Sequence, residues 1–267
     1  MHIVDRAMSS IEWTSRAIYS IVRGTPRLGA SVQAARSGRR RLGDLADVTA
    51  IPVAPSSRQV QYWTFSHVEG LRDHTLLAGL PLVYDLTFLS PKPVGWERSK
   101  THGHVHVGSG GGGFAELYEV LEGRAGFLVQ DLLPGPTASF AVLIEADAGD
   151  SVVIPPLLHH AAVNLGSTML VLGDMVARSA QDDYGSLKEA RGMAHYIATD
   201  GGARPNPAYS AVPRLTRLRA AEWSDAPRGP LYMKLLAEPS SFEWLFKTER
   251  FPDYFPQLLV RHGNGVP

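Results

Sequence analysis

From Val60 onward the chain is cut into short stretches of β-branched and aromatic residues, and this punctuation limits the folds open to it. VQYWTFSHV, LPLVYDLTFL, FAELYEVLEG, GFLVQDL, SFAVLIEA, SVVIPP, HAAVNLG and MLVLGDMV follow one another, most of them bounded by Gly, Pro or Asp turn signals. Many short strands at such spacing predict an all-β antiparallel barrel or jelly roll over residues 59–212. One helix is expected near GSLKEARGM, after Tyr184. No internal repeat interrupts the pattern.

The flanks read differently. Val4, Met8, Ile11, Ile18 and Ile21 are spaced for one amphipathic helix within residues 1–22. Gly, Pro, Arg and Ser dominate residues 23–58, so the whole of 1–58 is expected to be a helix followed by an irregular arm. The RSGRRR run within it reads as a solvated basic stretch, with phosphate binding as the alternative. Residues 213–267 form a C-terminal extension. Its aromatics Trp244, Phe246, Phe251, Tyr254 and Phe255 are expected to find burial on the barrel or on a partner subunit.

Composition narrows the chemistry. The 267 residues include no cysteine, which excludes disulfides, thiolate nucleophiles and Cys-based zinc sites together. Any metal must be held by His, Asp or Glu. Formal net charge is zero, so neither a nucleic acid nor a membrane surface is an expected partner. No apolar run approaches the roughly 18 residues of a membrane span. The first twenty residues lack the continuous apolar stretch of a secretory signal, and a cytoplasmic location is expected.

The informative segment is THGHVHVGSGGGGFAELYEVLEG. His104 and His106 are two residues apart, so on a strand their imidazoles project side by side. Glu116 and Tyr118 repeat that spacing after a glycine-rich connection, and a hairpin there would bring Glu116 opposite the histidines. His160, in IPPLLHHAAVN, offers a third imidazole. Three imidazoles and one carboxylate suit a divalent first-row metal. Iron(II) is placed first; manganese, zinc and nickel also fit, and the sequence does not choose among them. His102 and His159 each adjoin a candidate ligand, so alternation should turn them to the other face, and His67 is read as a non-ligand. The GSGGGG run lacks a following Lys-Ser/Thr and reads as a flexible connection rather than a phosphate loop.

These residues resemble the cupin-type glucose-6-phosphate isomerases. Thr101, Gly103, His104, His106, Glu116, Tyr118, Leu121, Gly123, Leu128, Gln130, Pro155, Pro156, His160 and Asn164 stand in the order of that family's signature. DDYGSLKEARG, Arg41-Leu42, Asp44 and Thr87 extend the likeness to roughly residues 38–212. The resemblance implies a cupin double-stranded β-helix and a homodimer. It implies a divalent metal on His104, His106, Glu116 and His160, and interconversion of glucose 6-phosphate and fructose 6-phosphate. Thr87, Thr101, Gly103 and Tyr184 would then lie around the sugar phosphate. The chain departs from the pattern in its longer glycine connection, in Leu157-Leu158 where an aromatic pair is common, and in Asp182 where a histidine is common. A carboxylate at 182 repels phosphate unless it is paired or turned away.

For such a reaction Glu116 is the first candidate base, with Tyr118 as a possible proton relay; a hydride shift would need no base for the carbon-bound hydrogen. The rival readings are a non-catalytic or regulatory sugar-binding cupin, an isomerase for a different sugar phosphate, and, less well matched, a metal-dependent dioxygenase.

Overall fold

The structure, a computed structural model, describes residues 15–108, 112–250 and 255. Sixteen strands dominate it. The N-terminal ones are β1 (Tyr19–Val22), β2 (Thr25–Leu28), β3 (Val32–Arg41), β4 (Val60–Gly70), β5 (Leu82–Leu89) and β6 (Val105–Val107). The middle of the chain supplies β7 (Glu116–Glu122), β8 (Arg124–Gln130), β9 (Ala141–Asp147), β10 (Ser151–Ile154), β11 (His159–Asn164) and β12 (Leu170–Ala177). Then come β13 (Gln181–Asp183), β14 (His195–Ile197), β15 (Ala203–Pro205) and β16 (Leu215–Arg219).

Two sheets face each other in a cupin double-stranded β-helix. One has six strands in the order β10-β7-β12-β5-β4-β3, the other four in the order β11-β8-β9-β16. The inward faces share a core in which Val120, Val152 and Leu172 meet Phe127, Val142 and Ile144. The outer face of the larger sheet is covered as well. There Leu86, Phe88 and Leu117 pack with Ile18 and Tyr19 from the N-terminal end and with Leu231, Tyr232 and Leu235 of the helix Leu231–Ala237. Apolar burial on both faces explains why the strands read as near-continuous apolar runs; β12 is buried at every position.

The ends depart from the sequence expectations in specific ways. Of the helix expected over residues 1–22, residues 1–14 lie outside the described residues, Ser15–Ile18 is helical, and Tyr19–Val22 is a strand. Arg23 and Gly24 both have positive φ (51° and 75°), so a two-residue turn pairs Val22 with Thr25 and sends the chain back as a hairpin. The arm is not an irregular linker throughout. Residues 32–41 form a ten-residue strand antiparallel to β4, because β4 presents an open row of backbone groups to pair with. Residues 215–219 likewise join the barrel, parallel to β9. Trp223 then enters the main core, fully buried, and its indole N–H donates to the Val153 carbonyl at 2.7 Å. Of the C-terminal aromatics, Phe255 is buried and Trp244 and Phe246 are partly buried against the outer core, while Phe251 and Tyr254 lie outside the described residues. The helix expected after Tyr184 is present at Gly185–Glu189.

Candidate active site

Residues 100–107 hold the site together because they change partners midway. Thr101 and His104 bond to the backbone of β11: Thr101 N–H donates to Ala162 O, and His104 and His160 exchange both of their N–H···O bonds at 3.0 Å. From the next residue, Val105, the chain pairs with β13 instead, as β6. Gly103, at φ 82°, makes the switch; a Cβ there would lie 2.9 Å from Leu187 Cδ1 and 3.2 Å from His160 O. His104 is thereby set directly across from His160, and His106 follows on the same face.

Glu116 arrives from the other sheet. The glycine-rich connection does fold back, with Gly108 N–H donating to Gly112 O, but β6 and β7 do not form a hairpin ladder. Instead β7 pairs with β10 and β12, and the carboxylate reaches the histidines across the barrel interior. Its Oε2 lies 2.9 Å from His106 Nε2, 2.8 Å from His160 Nε2 and 4.0 Å from His104 Nε2. His104 and His106 bring their Nε2 atoms to 3.2 Å. One ligand atom from each of the four lies within 4.8 Å of all the others.

The donor chemistry fits a divalent metal. Ligand bonds of about 2.0–2.2 Å put neighbouring donor atoms roughly 3 Å apart, as are the His104–His106, His106–Glu116 and His160–Glu116 pairs. The rings are also held from behind. His160 Nδ1 sits 3.2 Å from Leu158 O, a carbonyl that can only accept, and this contact holds the ring with Nε2 turned to Glu116. His106 Nδ1 sits 3.2 Å from Asp182 Oδ1. Burial, with His160 and His106 close by, pushes His104 down to about 3. Burial also opposes charge on His106, but the carboxylates of Glu116 and Asp182 outweigh it and raise that imidazole to about 10. Burial would raise Glu116; contact with His106 and His160 more than reverses this and holds it well below the usual carboxylate range. A buried group that keeps one carboxylate ionised among imidazoles so unequally protonated is one that a dication would satisfy.

Around these donors is a cavity of about 380 Å³. Thr87, Thr101, Gly103, Tyr118 and Tyr184 all line it. Tyr118 points its hydroxyl to within 3.5 Å of His160 Nε2, and burial, with Glu116 beside it, raises its pKa well above the usual tyrosine value. Tyr184 donates to Asp182 Oδ2 at 2.7 Å. Asp182 is thus paired on both oxygens, to His106 and to Tyr184, which removes the conflict anticipated for a carboxylate at this position. His159 faces away, 2.9 Å from Ser186 Oγ. His102 is outside the metal-competent group but is not turned away: the turn at Gly103 breaks alternation, so its ring lines the cavity, edge-on to Tyr184 at 5.1 Å. His67 is also outside the group.

Two acids and two arginines line the cavity as well; the sequence reading missed the acids and read the arginines' basic run as solvated, with phosphate binding as the alternative. Asp85 and Asp174 face each other on β5 and β12, and Asp174 also faces Tyr118 on β7. The signal was available: each is the lone acid in a run otherwise apolar, LVYDLTFL and LVLGDMV. Burial pushes Asp85 up to about 6, against the His67 N–H that donates to it at 2.7 Å. The other two, Arg36 and Arg40, come from the basic run on β3.

Comparison with known proteins gives a consistent result. The family described as glucose-6-phosphate isomerase (GPI) matches residues 39–214, well over half of the chain. A glucose-6-phosphate isomerase of Thermococcus gammatolerans is 34% identical over 121 residues, 45% of this chain and 59% of that protein. This chain therefore spans less than two thirds of that relative's length. A glucose-6-phosphate isomerase of Sinorhizobium medicae is 28% identical over 178 residues, 66% of this chain and 78% of that protein. Among solved structures, the oxalate decarboxylase of Lactobacillus farciminis aligns at a TM-score of 0.34 and 17% identity, covering 46% of this chain and 31% of that one, too remote to bear on function.

Proposed function

We propose that this chain, which belongs to the glucose-6-phosphate isomerase family, interconverts glucose 6-phosphate and fructose 6-phosphate with a divalent metal, iron(II) first. The observation that carries this reading is the convergence of His104, His106, Glu116 and His160, the first three of which line the same cavity as Thr87, Thr101, Gly103 and Tyr184. A metal held by the first four would supply Lewis-acid polarisation of the sugar carbonyl. The chain's own residues do the rest. The threonine hydroxyls and the Gly103 N–H donate to phosphate oxygens, and the Tyr184 hydroxyl would turn from Asp182 to join them. The isomerisation moves one hydrogen between C1 and C2. Glu116 takes the proton from one of these carbons and returns it to the other, and the Tyr118 hydroxyl, kept neutral by burial, passes a proton between sugar oxygens. We read the protein as a cytoplasmic homodimer; among the described residues no helix is long and apolar enough to cross a membrane.

The test is a coupled assay on metal-stripped and metal-reloaded protein. Stripping should abolish turnover and reloading restore it, and His160→Ala should lose metal. No turnover of either sugar phosphate by loaded protein would overturn the reading in favour of a non-catalytic sugar-binding cupin or of another sugar phosphate.

A further inference from the structure

Apart from the histidines, the charged residues lining the cavity are unequal in kind. Asp85, Glu116, Asp174 and Asp182 contribute carboxylates, while the cations are Arg36 and Arg40. Both arginines come from β3, where alternation puts residues 36, 38 and 40 on one face. Between them Gly38 stands opposite Thr64 on β4, and a Cβ at 38 would lie 3.1 Å from Thr64 Oγ1, so a side chain at 38 would crowd this face of the sheet between the two arginines. Neither arginine forms an ion pair among the described residues, although acids line the same cavity.

The two have different surroundings. Arg36 pairs in register with Ser66 and its charge acts on His67, towards the Asp85 side. Arg40 pairs in register with Tyr62, and its guanidinium lies 5.5 Å from the centre of the Tyr184 ring. Burial disfavours the Arg40 charge, but the phenolic oxygens of Tyr62 and Tyr184 more than offset that and raise its pKa. Arg40 is therefore a permanent cation at the cavity mouth, exposed, beside the residues that the proposed function assigns to the phosphoryl group. Those residues are hydroxyls and a backbone N–H, all neutral, whereas a phosphate monoester carries close to two negative charges. A planar guanidinium can donate two parallel bonds to such a group.

We propose that Arg40 is the residue that selects phosphorylated over unphosphorylated sugar, by pairing its guanidinium with the phosphoryl oxygens. This rests on the isomerase reading for its substrate, but binding tests it independently of turnover. The full metal-loaded chain would be titrated with inorganic phosphate by calorimetry, and KM and kcat measured for the sugar phosphates. Arg40→Gln should weaken phosphate binding and raise KM about 10–100-fold, the loss of a charge-assisted bond, with a much smaller change in kcat. Arg40→Lys should recover part of the loss. Arg39→Gln removes the same charge one residue away on the other face of β3 and should change neither. Wild-type binding of phosphate by Arg40→Gln would overturn the proposal, and so would an equal loss in Arg39→Gln, which would mark a diffuse charge effect. A wild type that binds phosphate without turning over sugar phosphate would sink the isomerase reading alone, leaving Arg40 to stand or fall on the binding arm. A wild type that binds no phosphate would sink the Arg40 proposal and leave the isomerase reading to the turnover assay.

Discussion

Asp182 Oδ1 lies 3.2 Å from Nδ1 of His106, the ring nitrogen opposite the one that meets Glu116. The carboxylate orients the imidazole and strengthens it as a donor. Asp182→Asn keeps the shape and removes the charge. It should lower metal affinity about 10–100-fold, read by competition with a chromophoric chelator. Unchanged affinity would show that the contact is incidental.

Glu116→Gln separates two roles of one side chain. Glutamine still offers an oxygen to the metal, so metal should bind at raised concentration. It cannot accept a proton, so turnover at saturating metal should stay at least about 100-fold below wild type. Recovery of activity in step with metal occupancy would reduce Glu116 to a ligand.

Glu119 points to the opposite face of β7, buried, with Tyr84 Oη–H donating to it at 2.7 Å and the Leu231 N–H shared between its oxygens. Burial pushes its carboxyl up to about 7 from 4.5, against those two donors. Between these values the folded chain holds a proton that the unfolded chain has released. Stability should therefore fall as pH rises from about 4.5 to 7 and level off above. Glu119→Gln should lack this component, so melting temperatures of the two proteins should draw apart over that window, in favour of the variant at pH 8. Parallel curves would rule the assignment out.

Trp223→Ala empties a fully buried site and strands the Val153 carbonyl. A loss of about 3–5 kcal/mol in urea unfolding is expected. Trp223→Phe, which keeps most of the volume, should cost less. A loss under about 1 kcal/mol for the alanine variant would mean that the C-terminal region is not integral to the core.

The strands that were legible from sequence are those buried on two faces, such as β5, β7 and β12, where burial favours apolar residues at most steps. β3 was not, because beyond Ala34 its residues face the cavity on one side and solvent on the other, so nothing selects apolar side chains there. It is a strand through backbone pairing to β4 alone, and composition is silent about pairing. The H-x-H spacing, Glu116 and His160 were readable because metal donors need shared faces. His102 was misplaced because alternation holds only while the backbone stays extended, and Gly103 does not. Asp182 was visible as a residue, but its partners depend on β13 lying against β6, a contact across more than seventy positions of sequence that no local pattern announces.

The family match stops at residue 214, and β16 begins at Leu215. Without that strand, the backbone of β9 on its outer side would be an unpaired hydrogen-bonding template, open to another chain. β16 occupies it, and Arg217 and Arg219 clamp it down on Glu145 and Asp147. The C-terminal region thus covers a sheet edge that would otherwise be exposed. A chain cut at the family boundary would carry its full set of candidate catalytic residues and yet be prone to polymerise through β9.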